Sequence, residues 1–384
     1  MKRLVLLYWG CIFLMYLSQT YYPVKTQLVG PQTVKRHFML RHADIFMIIA
    51  IVWMTCFSFL RTNYNDTYNY IYAFQNSESL IEGFQRGIFT DWTGNPWSEL
   101  YESVMRSITD NYHIYFLIPA LLSSYAVIKL FKNYSVSPTF SLLIFFSIGT
   151  YVMYVAALKQ CIAMFFLLMA FPYAIGKKYV RFYLLVLVAV LFHTHAFMFA
   201  IVPLLVGKPW GKVTWGLLAV TIFSMATYDA TLGRFMNYAQ SIGAMVSEIE
   251  VFDGHQINIL RVLVYWIPVI LTLVFRRRLF NGSSTRAEYL FTNMSIVSAF
   301  ILTIGLVQGA NLYARMAAYF EIATAVALPW IIKKLFTKQS AQYITIIACV
   351  LYFGYFMFEF SVSKSFNTEY SAITLWQFFT GLVR

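Results

Sequence analysis

Apolar runs that are long enough to cross a lipid bilayer recur along the whole chain. A helix needs about 20 residues to cross about 30 Å of hydrocarbon. Of the 384 residues, 60% are hydrophobic and only 12% are charged, which is the composition of an integral membrane protein. We therefore predict an all-α, polytopic integral membrane protein with about ten transmembrane helices. The candidate spans are 4–18, 44–60, 112–131, 140–157, 160–176, 213–228, 262–275, 288–308, 314–332 and 341–358.

The distribution of basic residues predicts the orientation of these spans. The formal net charge is +13, from 29 Lys and Arg against 16 Asp and Glu. Basic residues in short connectors mark the cytoplasmic side of a membrane protein. The excess charge therefore indicates orientation, and nucleic acid is not an expected partner. The basic residues in predicted cytoplasmic connectors are Lys25, Lys35, Arg36, Arg41, Lys129, Lys132, Lys177, Lys178, Arg181, Lys208, Lys212, Arg276, Arg277, Arg278, Arg286, Lys333, Lys334 and Lys338.

One apolar stretch, 182–206, does not fit the alternation of spans. Basic residues lie just before it and just after it, so both of its ends should face the cytoplasm. Its length is too short for two ordinary spans of about 20 residues each. We predict a re-entrant hairpin of two half-helices with His193 and His195 at its tip, where protein or a water-filled cavity must satisfy the backbone. The alternative is one long tilted helix, which would invert every later loop.

The predicted topology is a single transmembrane domain over 1–384 with both termini outside. The first run is expected to be retained, because no small-residue cleavage site follows it. External loop regions are predicted at 61–111 and 229–258, and both contain more acidic than basic residues. The first is rich in Tyr, Trp, Asn and Gly, and we expect short interfacial helices there. Such side chains suit sugars, but they equally suit an interfacial aromatic belt.

Polar residues follow the second predicted span. Asp66, Tyr70 and Phe74 are spaced by four, so they share one face of a helix. Ionisable groups at a bilayer are costly and usually face a bundle interior or a water-filled cavity. Asp66 is a candidate catalytic base or hydroxyl-orienting group, and Arg61 and Tyr70 are candidate substrate-binding residues. The alternative is that Asp66 only favours a helix N-terminus.

A second polar pair opens the fifth predicted span. Lys159 and Gln160 lie near its outer end, where a cation opposes the helix dipole. A lysine at such a position suits an anionic partner, and helix N-termini bind phosphate through free N–H groups. We therefore predict that both residues bind substrate. The alternative is a lysine that extends to the lipid headgroups.

Two histidines interrupt the predicted hairpin. His193 and His195 have no other ionisable group around them in that stretch. No Cys or carboxylate has a matching local spacing, so we expect no metal site. Imidazole suits proton transfer or a hydrogen bond to phosphate, and both histidines are candidate catalytic residues. The alternative is that they are packing residues.

The last polar cluster begins the ninth predicted span. Arg315 and Tyr319 lie one turn apart, and Arg315 could bind phosphate with two donors. Glu321 lies further inside, where an unpaired charge would be costly, so it should pair with a cation or be protonated. All three are candidate substrate-binding residues. The alternative is an Arg–Glu ion pair that holds helices together.

Several familiar catalytic motifs are missing from the sequence. It contains no Gly-x-x-x-x-Gly-Lys-Ser/Thr loop, no dinucleotide-binding glycine pattern and no Gly-x-Ser-x-Gly element. We therefore expect no cofactor. The free energy for any chemistry should arrive with the substrate.

The order and spacing of the polar motifs are similar to those of a known family. Together they resemble the EpsG family of bacterial membrane proteins, which are Wzy-type polymerases of exopolysaccharide, capsule or O-antigen. Two positions depart from the family pattern: Lys159 replaces the usual Arg, and Asn65 replaces the Gly that usually precedes the Asp. The residues that carry the resemblance are Arg61, Asp66, Tyr70, Phe74, Glu99 to Met105, Lys159 to Ala163, Ala189, His193, Ala196, Arg315 to Phe320 and Pro329.

The resemblance implies a membrane glycosyltransferase at the outer face of the bacterial inner membrane. Such an enzyme transfers the growing glycan from undecaprenyl pyrophosphate to the terminal sugar of a lipid-linked repeat unit. Its implied partners are the undecaprenyl-pyrophosphate-linked oligosaccharide, membrane lipid, and a chain-length regulator and flippase of the same pathway. The alternatives are a transporter or flippase of a lipid-linked oligosaccharide or another anion, and a structural assembly partner. The clustering of polar residues at one side, with no visible inverted repeat, disfavours transport.

Overall fold

The computed structural model describes residues 2–23, 44–86, 95–228, 230, 256–282, 284–362 and 369–382. Almost all of its regular structure is helical, so the predicted all-α polytopic fold is confirmed. The basic residues at 25–41, the aromatic segment 91–94 and nearly all of the predicted external loop 229–258 lie outside the described residues.

The described residues contain six helices that are long and apolar enough to cross a membrane, or seven if a bent pair counts as one span. Five further apolar helices are shorter, at 10–17 residues. At 1.5 Å per residue, such a helix covers less than the ~30 Å hydrocarbon core. The predicted number of about ten crossings therefore requires some of these short helices to span the bilayer, and it stays a prediction.

The chain divides into two compact units. The first comprises 1–173, 180–197 and 344–384, and the second comprises 174–179 and 198–343. The helices of the first unit are α1 (Lys2–Tyr21), α2 (Ile45–Phe59), α3 (Thr67–Asn76), α4 (Leu80–Arg86), α5 (Pro96–Ile108), α6 (Tyr112–Tyr134), α7 (Pro138–Ser147), α8 (Thr150–Ala156), α9 (Leu158–Ile175), α10 (Tyr179–Phe192), α16 (Lys338–Ser361) and α17 (Leu375–Leu382). Helices α9, α10 and α16 each have some residues that belong to the second unit. Its two strands are β1 (Arg61–Asn63) and β2 (Ser371–Ala372).

One end of the first unit is closed by a short antiparallel sheet. Strand β1 pairs with β2, with Arg61 opposite Ala372. The guanidinium of Arg3 donates to the carbonyl of Ala372 over 3.1 Å, and the Tyr370 hydroxyl donates to the carbonyl of Phe57. The start of α1, the end of α2 and the chain segment after α16 therefore meet at one end. The predicted topology assigns all three to the same side.

The opposite end of the unit is held by a buried ion pair. Lys132, in the last turn of α6, lies 2.9 Å from Asp44, which precedes α2. Asp44 also caps α2 by accepting from the backbone N–H of Met47, and it accepts the hydroxyl of Ser18 from α1. Such a pair satisfies charges that would be costly to bury separately. The arrangement makes α1, α2 and α6 successive antiparallel neighbours.

A bent helix pair follows α6. Helices α7 and α8 meet at an angle of 61°. The residue between them that permits the bend is Gly149, whose φ of 80° lies in the left-handed region that favours glycine. The bend gives a broken span or a re-entrant segment.

The apolar segment 182–206 changes helix type at His193. Helix α10 ends at Phe192, and a 3₁₀ helix occupies Thr194–Val206. Runs of 3₁₀ helix longer than 3–4 residues are uncommon and often mark functional or strained segments. The interruption coincides with the predicted tip of the hairpin. The re-entrant path itself stays a prediction.

Three predicted cytoplasmic connectors, around Lys208, Arg277 and Lys334, meet at one end of the second unit, where the ammonium group of Lys334 donates to the hydroxyl of Ser284. The side chain of Asn293 donates to the carbonyls of Leu205 and Gly207, and the indole of Trp210 donates to Thr272. Helices α14 and α15 form its largest helix–helix contact. The helices of this unit are α11 (Lys212–Ala226), α12 (Ile259–Val274), α13 (Arg276–Leu279), α14 (Arg286–Ile304) and α15 (Ala310–Leu335).

Candidate functional site

A buried carboxylate lies on helix α5, in the region predicted to be external. Glu102 is 7% exposed and accepts a hydrogen bond of 3.0 Å from the hydroxyl of Tyr115 on α6. The ring of Tyr115 stacks on Phe74 of α3, with 4.7 Å between centroids, and on Tyr101, with 5.3 Å. Aromatic stacking of this kind fixes ring positions beyond simple burial. The stack therefore holds α3, α5 and α6 together around Glu102.

The electrostatic surroundings of Glu102 make it an unusual acid. Burial raises the pKa of this carboxyl above its ordinary value, and the opposing influences are the charge of Lys159 and the hydrogen bond from Tyr115. A carboxyl with a raised pKa in an enclosed place is well suited to proton exchange. Raised acid pKa values also concentrate at functional sites.

The start of α9 brings Lys159 into the same neighbourhood. Leu158 packs into the apolar cluster that contains Phe74 and Tyr115. Lys159 is half-buried, whereas Gln160 is buried. A half-exposed ammonium group beside a helix N-terminus can contact an anion without a rearrangement of the surrounding protein. The two predicted substrate-binding residues therefore differ in exposure, because Lys159 is partly accessible and Gln160 lies inside the protein.

Arg61 is fully buried. Its Nε donates to the hydroxyl of Thr67 over 3.0 Å, and its Nη1 donates to the carbonyl of Ser58 over 2.5 Å. Its guanidinium carbon lies 4.0 Å from the centroid of the Phe116 ring, a cation–π contact. Its Nη2 has no hydrogen-bond partner among the described residues. In this conformation Arg61 ties the end of α2 to the start of α3, and direct substrate contact stays a prediction.

Asp66 immediately precedes α3. It occupies the N-cap position, but its side chain makes no capping hydrogen bond. The preceding residue, Asn65, has φ of 43°, in the left-handed region where Gly is easiest and Asn is the next choice. This explains how Asn65 can replace the glycine of the resembled pattern. Tyr70 and Phe74 do face the same apolar cluster, as their spacing predicts.

The two histidines lie beside the start of α5. Their rings are 5.2 Å apart between centroids. The backbone N–H of Thr194, between them, donates to the side-chain oxygen of Asn95 over 3.0 Å, and the ring of Phe192 packs edge-to-face on Trp97. Helix α5 thus carries Glu102 in one turn and contacts the histidine segment at its start. Three of the four predicted polar clusters are assembled in the first unit.

The fourth predicted cluster belongs to the second unit. Glu321 is fully buried, and its Oε1 lies 3.2 Å from Nη2 of Arg261 on α12. The predicted need for a cationic partner is therefore met by Arg261, a residue that the sequence analysis did not single out. Tyr319 is also buried, and Arg315 is half-buried on the same helix, α15. This ion pair agrees with the alternative that we stated for Glu321, while its substrate-binding role stays a prediction.

Sequence reasoning missed the central position of Glu102 and Tyr115. Glu102 falls within the segment 99–105 that carries part of the family resemblance, which was the available signal. Nothing in the spacing along the chain distinguishes Glu102 from Glu99, which is exposed on the same helix. The contact with Tyr115 depends on packing between α5 and α6, and a sequence does not encode it locally.

Comparison with known proteins identifies the family. The family model described as EpsG family matches residues 44–374, which is most of the chain. The chain belongs to the EpsG family. EpsG proteins are Wzy-type polymerases. No curated protein and no solved structure matches the chain.

Membership of the EpsG family indicates the general function of the chain. It implies a glycosyltransferase-like polysaccharide polymerase in the membrane, acting on a lipid-linked oligosaccharide. The matched range contains Arg61, Asp66, Glu102 and both histidines, together with the polar residues of the second unit. Within this range, the structure places the half-buried Lys159 near the buried carboxyl of Glu102.

Proposed function

We propose that this EpsG protein polymerises lipid-linked repeat units at the outer face of the bacterial inner membrane. The hydroxyl oxygen of an acceptor sugar attacks the anomeric carbon of the growing glycan. The bond between that carbon and the pyrophosphate of the undecaprenyl carrier breaks, and the carrier leaves with the electron pair. The proton of the acceptor hydroxyl passes to a base on the protein. No nucleotide is consumed.

One observation carries this proposal. Lys159, which is half-exposed at the start of α9, lies near the buried carboxyl of Glu102 on α5. The ammonium group would contact the leaving pyrophosphate, where negative charge develops during the transfer. Arg315 is also proposed as a phosphate-binding residue, and Gln160 and Tyr319 are proposed as further substrate-binding residues.

The acceptor sugar is proposed to meet Asp66. This residue is half-buried at the N-cap position of α3. A carboxylate in that position can orient a sugar hydroxyl and accept its proton. Arg61 would hold the segment in place through Ser58 and Thr67. His193 and His195 are proposed to hydrogen-bond or protonate the departing phosphate.

The experiment is reconstitution of the purified protein in vesicles with a lipid-linked repeat as the only glycan. The wild-type protein should give a ladder of longer lipid-linked products. Lys159→Ala and Arg315→Ala should abolish the ladder, because each removes a charge-assisted contact of about 1.5–3 kcal/mol. Lys159→Arg should retain it, since the same charge returns with better phosphate geometry.

The matched control is Lys129→Ala. Lys129 is a half-buried lysine in an apolar helix of the same unit, but its ammonium group lies near the ring of Tyr125 and the sulfur of Met169. This variant should polymerise normally. A normal ladder from both Lys159→Ala and Arg315→Ala would contradict the phosphate role. Saturable uptake of the lipid-linked repeat without any ladder would identify a transporter instead.

A further inference from the structure

Helix α3 carries an exposed pair of tyrosines that the proposed reaction does not use. Tyr68 and Tyr72 are 71% and 60% exposed. Their rings stack at 23° with 6.4 Å between centroids, one helical turn apart. On the opposite side of the helix, Phe74 is fully buried in the apolar cluster. The two sides of α3 therefore differ sharply, and the tyrosines lie on the side that faces away from the core.

Apart from Ala73, the rest of the exposed side is made of amides. Asn69, Gln75 and Asn76 are exposed, and helix α3 contains no Asp, Glu, Lys or Arg. A helix that rests on anionic lipid headgroups usually carries Lys or Arg on its polar side. A solvated helix surface carries charged or polar residues, and two stacked, exposed aromatic rings are not expected on it. An uncharged surface of phenol rings and amides matches neither pattern.

This combination does match a neutral polyhydroxylated ligand. The face of an aromatic ring is apolar and can contact the C–H face of a sugar ring, while the phenol hydroxyl remains available. Asn and Gln side chains offer both donors and acceptors, which suits sugar hydroxyls. The side chain of Asn76 donates to the carbonyl of Tyr72 over 2.8 Å, so this amide is oriented along the helix.

The surface is continuous with the proposed acceptor site. Helix α3 starts directly after Asp66, and its 10 residues extend about 15 Å from there. A glycan whose terminal sugar meets Asp66 could lie along the exposed side of the same helix. The distance covered suits a ligand longer than one sugar.

We propose that Tyr68 and Tyr72, with the amides of Asn69, Gln75 and Asn76, form a binding subsite for the uncharged glycan portion of the acceptor. This inference rests on the proposed function for the identity of the ligand. The subsite would contribute affinity for the repeat unit rather than chemistry, because none of its residues supplies a base or an anion-binding cation.

The experiment measures binding without requiring catalysis. The probe is the lipid-free oligosaccharide released by mild acid from the lipid-linked repeat of the source cells, titrated calorimetrically into purified protein. The double variant Tyr68→Ala/Tyr72→Ala should weaken binding roughly ten-fold, because two ring contacts are lost. Tyr68→Phe/Tyr72→Phe keeps both ring faces and should retain most of the affinity. In the polymerisation assay, the alanine variant should raise KM for the repeat by a similar factor with little change in kcat.

The matched control is Tyr21→Ala, which removes a tyrosine that is 67% exposed at the opposite end of the first unit. This variant should bind the oligosaccharide normally. Unchanged affinity in the double alanine variant would overturn the subsite, and a loss of thermal stability in vesicles without any change in affinity would identify a membrane-interface contact. If wild-type protein binds the oligosaccharide through these tyrosines but makes no ladder, the proposed polymerisation fails and the subsite stands.

Discussion

The hydroxyl of Tyr115 donates a hydrogen bond to Oε1 of Glu102, and this contact joins the amphipathic helix α5 to helix α6, which is long and apolar enough to span a membrane. The ring of Tyr115 stacks against the rings of Phe74 and Tyr101. The contact places a buried acid beside the segment that starts with Asp66 and near the ammonium group of Lys159. The hydrogen bond between Tyr115 and Glu102 therefore positions the polar residues of the first unit, and no single sequence motif contains both residues.

Replacing Glu102 by Gln should change the pH dependence of stability. Burial raises the pKa of Glu102 in the folded protein above the ordinary value of 4.5, so the fold favours the protonated form. The stability from this shift is fully present below about pH 4.5 and is lost as the pH rises through the folded pKa. The melting temperature of Glu102→Gln minus that of wild type should therefore increase from acid to neutral pH, as measured by thermal unfolding in detergent. The control Glu99→Gln, on the exposed side of α5, should show a much weaker trend, and a flat difference for Glu102→Gln would contradict the assignment.

Arg61→Lys should destabilise the protein although the charge is kept. The guanidinium binds Thr67 and Ser58 at once and lies on the ring of Phe116. An ammonium group cannot reproduce this planar geometry, so we expect a loss of about 2 kcal/mol in the free energy of unfolding. Arg106→Lys, in a more exposed ion pair with Asp110, should cost less than about 1 kcal/mol. Equal losses in the two variants, measured by chemical denaturation, would argue against the buried role of Arg61.

The pair formed by Arg261 and Glu321 should behave as one unit. Removing one partner leaves a buried charge uncompensated, and Glu321→Gln should cost about 3–5 kcal/mol in the free energy of unfolding. The double variant Arg261→Gln/Glu321→Gln should recover part of that loss. A double-mutant cycle measures the coupling, and strictly additive losses would show that the ion pair contributes no coupling energy to the second unit.

The choice of base can be tested with two substitutions in the reconstituted polymerisation assay. Asp66→Asn keeps the shape of the side chain and removes its basicity, so the initial rate should fall at least about 100-fold. His195→Ala should be less damaging, because the proposed histidine role is to assist the leaving group. Wild-type rates in Asp66→Asn together with an inactive His195→Ala would reverse the assignment.

The predicted orientation can be tested by cysteine labelling in intact cells with a membrane-impermeant maleimide. Asn76→Cys, on the exposed side of α3, should react from outside. Lys208→Cys and Arg277→Cys lie in connectors that are predicted to be cytoplasmic, so they should react only after the membrane is permeabilised. Cys11 and Cys161 are buried, whereas Cys56 and Cys349 are partly exposed, so the substitutions are made in a Cys56→Ser/Cys349→Ser background. External labelling of residue 208 would remove the re-entrant hairpin from the topology.

Short-range sequence signals predicted much of the helical architecture. Apolar length predicted the polytopic helical class, because a bilayer leaves few ways to satisfy backbone groups. The spacing of Asp66, Tyr70 and Phe74 predicted a helix with one common face. The structure contains this helix as α3, with Tyr70 and Phe74 facing the apolar cluster and Asp66 at the N-cap. The change of helix type at His193 also coincides with the tip of the hairpin that loop charge and segment length predicted, and the path of that hairpin stays a prediction.

The sequence by itself determined the membrane class, the family and the residue types available for chemistry, because these follow from composition, local spacing and motif order. Only the tertiary structure decided which of those residues are buried and which meet. In the folded chain Arg61 is buried, Glu321 pairs with Arg261, and Glu102 accepts a hydrogen bond from Tyr115. Each of these contacts joins residues on different structural elements, and Glu321 and Arg261 are 60 positions apart. Their energies depend on packing and desolvation in three dimensions, which local sequence patterns do not record.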